Sequence, residues 1–192
     1  MTPRHILIVY GTKYGQTAKI AERMRQRLAD EGNTVTLIRG DALPQLFSLE
    51  PYDAVIVGAS LILGRHQKYI ERFVREHVAE LNALPSAFFS VSGSAASPEP
   101  AAKAEARRKL EEFLAGFGWQ PLRTTTIAGA IAYTKYGPLT RLVMRLISRA
   151  QHGSTDVTRD HEYTDWAQVD RFAESIVETA AAQARAEELA RV

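Results

Sequence analysis

ILIVYGTKYGQT, at residues 6–17, is an apolar run that breaks into a turn rich in glycine and hydroxyl groups. The run predicts a buried strand, and the residues after the turn predict a helix. Gly11 and Gly15 let the backbone bend close to an anion, and the first N–H groups of a helix have no partners within it. Thr12 and Thr17 add hydroxyl donors. The stretch therefore predicts a phosphate-binding turn at a helix N-terminus.

The spacing of this turn limits the kind of phosphate that it suits. A nucleoside triphosphate loop needs Gly-Lys-Ser/Thr at its end, and no lysine follows Gly15. A dinucleotide fingerprint needs Gly-x-Gly-x-x-Gly, whereas no glycine lies between Gly11 and Gly15. A single phosphate monoester fits best, and the alternative is an ordinary strand-to-helix turn that binds nothing.

Composition excludes several classes of protein. The absence of cysteine removes disulfides, thiolate catalysis and cysteine-ligated metals, and the five scattered histidines predict no metal site. A net charge of +2 is too mild for a nucleic-acid-binding protein. The chain enters its first strand almost at once and has no apolar run near the roughly 18 residues of a membrane span. We expect a cytoplasmic protein, either soluble or peripheral on the cytoplasmic membrane face.

Short β-rich runs alternate with helical stretches along the chain, which predicts one α/β domain over residues 1–192. Several of the runs are apolar on both faces, as in a parallel sheet covered by helices on each side. A phosphorelay receiver domain would need acidic residues at the ends of its first and third strands, and they are missing here. We predict strands at residues 4–10, 34–39, 54–59, 87–91 and 124–127 and helices at 15–31, 66–81, 101–117 and from Asp165 onward.

Two further loops of small residues follow the third and fourth predicted strands. They read GASLILGRH at 58–66 and SVSGSAAS at 90–97. In an open α/β sheet a ligand lies beyond the carboxyl ends of the strands, so both loops should lie beside the turn at 12–17.

This arrangement resembles the way in which flavodoxins hold FMN. Fragments in the same order resemble the quinone-dependent protoporphyrinogen dehydrogenases of flavodoxin fold, namely GAS at 58–60, FVREH at 73–77, LPSAFFSV at 84–91, IAGA at 127–130 and YTDW at 163–166. The resemblance covers nearly the whole chain. It implies a flavodoxin-like three-layer sandwich with a five-stranded parallel sheet in the order 2-1-3-4-5.

The resemblance also implies which residues bind FMN. The first loop would take the phosphate and the other two would flank the flavin ring. Both ring loops lack the aromatic residues that flavodoxins stack on the flavin, which suits a flat substrate and equally suits a weak FMN binder. The implied FMN residues are Thr12, Lys13, Tyr14, Gly15, Gln16, Thr17, Ala59, Ser60, Leu61, Ile62, Leu63, Gly64, Ser92, Gly93 and Ser94.

A basic insertion at about 131–157 interrupts the alternating pattern near the fifth strand, and its first 25 residues contain no acidic residue. From Pro138 onward it predicts an amphipathic helix with arginines on one face. The helix could bind a flat substrate with carboxylates, lie in anionic headgroups, or be an ordinary solvated surface helix. The candidate substrate or membrane residues are Arg65, His66, Tyr133, Lys135, Arg141, Arg145 and Arg149.

The resemblance implies an FMN-dependent oxidoreductase of haem biosynthesis that dehydrogenates protoporphyrinogen IX and reduces a membrane quinone. The chemistry would be centred on the flavin, since no nucleophile or paired carboxylates are evident in the sequence. A flavodoxin-type electron carrier, a quinone reductase with another substrate and a flavin-free interaction protein are the alternatives. A homodimer is compatible with each of them.

Overall fold

The computed structural model describes residues 3–131, 158 and 160–190. Seven strands and four helices are present in this part of the chain, together with one short 3₁₀ turn at Ser94–Ala96. The strands are β1 His5–Gly11, β2 Thr34–Arg39, β3 Ala54–Ser60, β4 Ser86–Ser92, β5 Arg123–Ala128, β6 Ala130–Ile131 and β7 His161–Glu162. The helices are α1 Gln16–Asp30, α2 Lys68–Ala83, α3 Pro100–Phe117 and α4 Trp166–Ala190.

The five long strands form one parallel sheet in the order β2-β1-β3-β4-β5. This confirms the predicted order, and the predicted strand limits differ from the observed ones by at most one residue. Because all five strands run the same way, the loops that follow β1, β3 and β4 emerge at one edge of the sheet. The three candidate FMN loops are therefore neighbours.

Helices cover both faces of the sheet, each through an apolar stripe. Ile20 and Met24 of α1 and Ile176 of α4 pack on one face, where they are fully buried. Phe73 of α2 and Leu110 of α3 pack on the other face. Packing on both sides explains why β3 and β4 are buried along nearly their whole length, as expected of central parallel strands.

The two ends of the insertion are held together by a small antiparallel ladder. Ala130 pairs with Glu162 and Ile131 pairs with His161, so the residues on the two sides of the insertion lie next to each other. Residues 132–157 lie outside the described residues, and with them Tyr133 and the predicted basic helix. None of the described helices is long and apolar enough to cross a bilayer.

Candidate functional site

The phosphate turn, residues 12–17, has the geometry of an anion site. Gly15 adopts a positive φ of 100° immediately before α1, a conformation that favours glycine. Its N–H donates to Thr12 Oγ1 over 2.9 Å, which closes the turn. No side chain caps α1 and no acidic residue lies in its first turn, so its N-terminal dipole is left for an external anion.

Thr17 has a buried hydroxyl group that a ligand could hydrogen-bond. The residue is 1% exposed, and its Oγ1 is the one buried side-chain oxygen or nitrogen without a hydrogen-bond partner among the described residues. Leaving a buried hydroxyl unpaired costs about 1–3 kcal/mol. A phosphate at the start of α1 would accept this hydroxyl's hydrogen bond, so the residues present fit FMN.

Replacing Thr17 with valine therefore separates ligand binding from stability. Thr17→Val keeps the shape of the side chain but removes the hydroxyl, and we expect FMN affinity to fall at least about tenfold through loss of a hydrogen bond to a charged group. The free energy of unfolding of the flavin-free protein should stay the same or rise. Flavin fluorescence titration and urea unfolding measure the two effects, and an unchanged FMN affinity would contradict this role of Thr17.

The first ring loop, residues 60–65, is a compact hairpin. The Leu61 N–H donates to the Val91 carbonyl over 2.7 Å, which ties the loop to the end of β4. Ile62 and Arg65 then exchange backbone hydrogen bonds of 2.9 and 3.1 Å around the tip. At that tip Leu63 takes a positive φ of 50° and is 87% exposed, an unusual position for an apolar residue.

His66 lies in the interior of the protein beneath this loop. Its Nε2 lies 3.0 Å from Ser90 Oγ, and its ring packs edge-on against Phe88 and Phe113. Burial lowers the pKa of His66 from 6.5 to about 4, so the imidazole is neutral at pH 7. Its position gives no support to the direct contact with flavin or substrate that the sequence suggests for His66, and that contact stays a prediction.

The second ring loop follows β4 and consists of small residues. Ser92 Oγ accepts the Ala95 N–H over 3.2 Å, and the Ser92 carbonyl accepts the Gly129 N–H over 3.0 Å. A Cβ added to Gly93 would meet no atom within 4 Å, so the space beside this glycine is open.

The side chain of Gln16 bonds another part of the protein, and its contact with FMN stays a prediction. Its side-chain Nε2 donates to Thr164 Oγ1 over 2.9 Å, and that hydroxyl donates in turn to the Ala128 carbonyl over 2.8 Å. One turn along α1, Lys19 pairs with Glu162 of β7 at 3.2 Å. The phosphate turn is thus joined to the base of the insertion. The Gln16 backbone N–H is one of the donors at the start of α1 that have no partner within the helix.

Sequence analysis missed two residues at the start of α2. Gln67 donates from Nε2 to the carbonyl and to the hydroxyl of Ser60, and its Oε1 accepts the Ser60 N–H. The Tyr69 hydroxyl accepts the Thr12 N–H over 3.1 Å and donates to the Thr12 carbonyl. The sequence offered one weak indication for Gln67, since it is a polar residue just after a predicted ligand loop. No pattern in the sequence near Tyr69 indicated its contact with the phosphate turn.

The structure brings most of the predicted site residues together. Those at 12–17, 59–64 and 92–94 lie at or just beyond the carboxyl ends of β1, β3 and β4, at one edge of the sheet, although Ala59 is fully buried within β3. Arg65 lies exposed at the same edge. Four of the other candidates, Lys135, Arg141, Arg145 and Arg149, lie outside the described residues. The described residues contain no cluster of potential metal ligands.

Comparison with known proteins agrees with this geometry. A family model described as a flavodoxin domain matches residues 7–158. Flavodoxin 1 from Bacillus cereus is 17% identical and superposes with a TM-score of 0.56, covering 91% of this chain and 97% of its own. Rubredoxin oxygen:oxidoreductase from Desulfovibrio gigas is 19% identical, with a TM-score of 0.57 over 93% of this chain and 36% of its own. Both likenesses concern the fold.

Relatives at higher identity define the family more narrowly. The protoporphyrinogen IX dehydrogenase [quinone] of Escherichia coli K12 is 35% identical over 173 residues, which cover 88% of this chain and 93% of the relative. A protein of the same name from Leishmania major is 34% identical over 171 residues, or 87% of this chain and 72% of the relative. The chain therefore belongs to the flavodoxin-domain family, in the branch that contains the quinone-dependent protoporphyrinogen IX dehydrogenases.

Proposed function

We propose that this chain is an FMN-dependent oxidoreductase that converts protoporphyrinogen IX to protoporphyrin IX and passes the electrons to a membrane quinone. The observation that carries the FMN part is the unpartnered Thr17 hydroxyl at the N-terminus of α1. The names of the relatives from E. coli and L. major support the substrate and the acceptor.

The protein's own part in this reaction is to bind and orient. Bound FMN supplies the two-electron chemistry. Thr12 and Thr17 would hold the phosphate through their hydroxyls, and the backbone N–H groups that begin α1 would add further donors. The loops at 60–64 and 92–94 would flank the ring, and the small residues of the second loop leave one side open to a flat substrate.

The rim of the first ring loop suits a substrate with an apolar body and carboxylates. Leu63 presents an exposed apolar side chain at the tip, and the exposed Arg65 follows two residues later. An arginine is well suited to bind a propionate through two parallel hydrogen bonds. The basic residues of the insertion would also bind a substrate carboxylate, or would contact anionic lipid.

A membrane quinone dissolves in the bilayer, so the proposed reaction would occur at the membrane surface. The protein would work in the cytoplasm at the face of that membrane, with the basic insertion near the headgroups.

The assay uses FMN-loaded protein, anaerobic protoporphyrinogen IX and a soluble menaquinone analogue. We expect porphyrin fluorescence to grow well above the autoxidation rate, with three quinones reduced for each porphyrin formed, because six electrons and six protons leave the substrate. Omitting the quinone, or leaving out FMN, should return the rate to background. Porphyrin formation at the background rate by protein that has bound FMN would contradict the proposed activity.

A further inference from the structure

The segment that begins α2 makes side-chain contacts with two of the three candidate loops. Gln67 immediately precedes the helix and bonds Ser60, where the first ring loop begins. Tyr69 lies in the first turn and bonds Thr12, where the phosphate turn begins. Two residues that are neighbours in sequence therefore reach two loops that follow different strands.

Gln67 satisfies the polar groups of Ser60 almost completely. Its amide accepts from the Ser60 N–H over 3.1 Å and donates to the Ser60 carbonyl over 3.0 Å and to its hydroxyl over 2.6 Å. A Cβ on Gly11 would lie 2.6 Å from Gln67 Oε1, so the glycine at the end of β1 makes room for this amide. The contacts fix the point at which the first ring loop leaves the sheet.

Tyr69 acts on the phosphate turn in the same way. Its hydroxyl bonds both the N–H and the carbonyl of Thr12, at 3.1 and 3.3 Å. Thr12 in turn accepts the Gly15 N–H, so the phenol holds the residue that shapes the turn.

We propose that Gln67 and Tyr69 are positioning residues for the flavin, each acting through a different loop. Tyr69 positions the phosphate turn, and Gln67 positions the first ring loop. A binding loop whose backbone is fixed by such hydrogen bonds loses less freedom when the ligand arrives. This inference rests on the proposed binding of FMN.

Each residue should therefore affect a different part of the flavin. Tyr69→Phe removes the hydroxyl only, and we expect FMN affinity to fall about tenfold while riboflavin, which has no phosphate, binds as before. Gln67→Met keeps the length of the side chain, and we expect it to weaken FMN and riboflavin alike by about tenfold. Gln67→Met should also shift the midpoint potential of bound FMN, whereas Tyr69→Phe should not.

Gln168→Met is the matched control. The Gln168 Nε2 also makes two hydrogen bonds, to Thr125 Oγ1 over 3.0 Å and to the Thr126 carbonyl over 3.1 Å. Both partners lie within β5, away from the three loops. The control should leave flavin affinity and potential unchanged.

A second measurement needs no flavin. Amide hydrogen exchange in the flavin-free protein should speed up at Thr12 in Tyr69→Phe and at Ser60 in Gln67→Met, with neither change in Gln168→Met. Wild-type FMN affinity in both variants, or an equal loss in the control, would overturn the inference while the proposed function stands. Failure of the unsubstituted protein to bind FMN would overturn the proposed function as well.

Discussion

We expect Gly58→Ala to lower the free energy of unfolding by about 3 kcal/mol, at the upper end of the range for overpacked cores. Gly58 lies in the middle of β3, with Tyr10 and Phe89 as its partners on the two neighbouring strands. A Cβ at Gly58 would fall within 2.6 Å of three ring carbons of Phe89. The ring is fully buried and packs edge-on against Phe172, so it has little room to move.

Shortening the opposing side chain tests the cause. Phe89→Leu alone should destabilise by leaving a cavity, but adding it to Gly58→Ala should cost less than the sum of the two single changes. Gly116→Ala is a control, because a Cβ there meets no atom within 4 Å and the helix α3 should gain up to about 1 kcal/mol. Urea unfolding measures all four variants. A Gly58→Ala midpoint equal to wild type would show that the core accommodates the methyl group.

The second large effect is a loss of stability in acid caused by His66. Its folded-state pKa of about 4 lies below its ordinary value of 6.5, so the unfolded chain binds more protons between these values. Stability from this group is thus complete above pH 6.5 and falls as the pH drops toward 4. Since one pKa unit corresponds to about 1.4 kcal/mol, the full loss is about 3 kcal/mol.

His66→Gln isolates this contribution from that of the carboxylates, which also titrate in acid. The variant should be less stable than wild type at pH 7, and the difference should shrink as the pH falls from 6.5 to 4. Denaturant unfolding at several pH values gives the two curves, and NMR titration of the His66 ring gives its folded pKa directly. Parallel curves, or a ring that titrates near 6.5, would contradict the neutral buried state.

The fold could be predicted because its signals are local and repeated. Apolar runs such as 54–59 are long enough for a strand, and the helices between them carry apolar residues at regular intervals. Asp165 was predicted to begin the last helix, and its Oδ1 accepts the Gln168 N–H as a helix cap does. A helix cap joins residues only three apart, so it can be predicted from the local sequence.

The candidate site was only partly predictable. The glycine and hydroxyl pattern at 12–17 indicated a phosphate turn, and the positive φ of Gly15 agrees with it. The sequence did not indicate that Gln16 reaches Thr164, 148 residues away, or that Tyr69 reaches Thr12 across 57 residues. Such pairings depend on how the elements pack.

His66 illustrates the same limit. Because it lies beside a predicted ring loop, the sequence suggested that His66 contacts flavin or substrate, yet its ring packs inward against Phe88 and Phe113. The ring of a loop histidine can face solvent or the interior. Which of the two it does depends on whether the packed elements leave a space for the ring. Here the ring lies between Phe88 of β4 and Phe113 of α3.

The sequence by itself determined the alternation of strands and helices and the glycine-containing turn before α1, because these depend on short-range patterning. Its family resemblance predicted the sheet order. The tertiary structure alone decided that Thr17 keeps a buried hydroxyl without a partner, and that Gln67 and Tyr69 hydrogen-bond Ser60 and Thr12. These facts depend on which side chains from distant segments meet at the carboxyl edge of the sheet. Only the packed chain brings them within hydrogen-bonding distance.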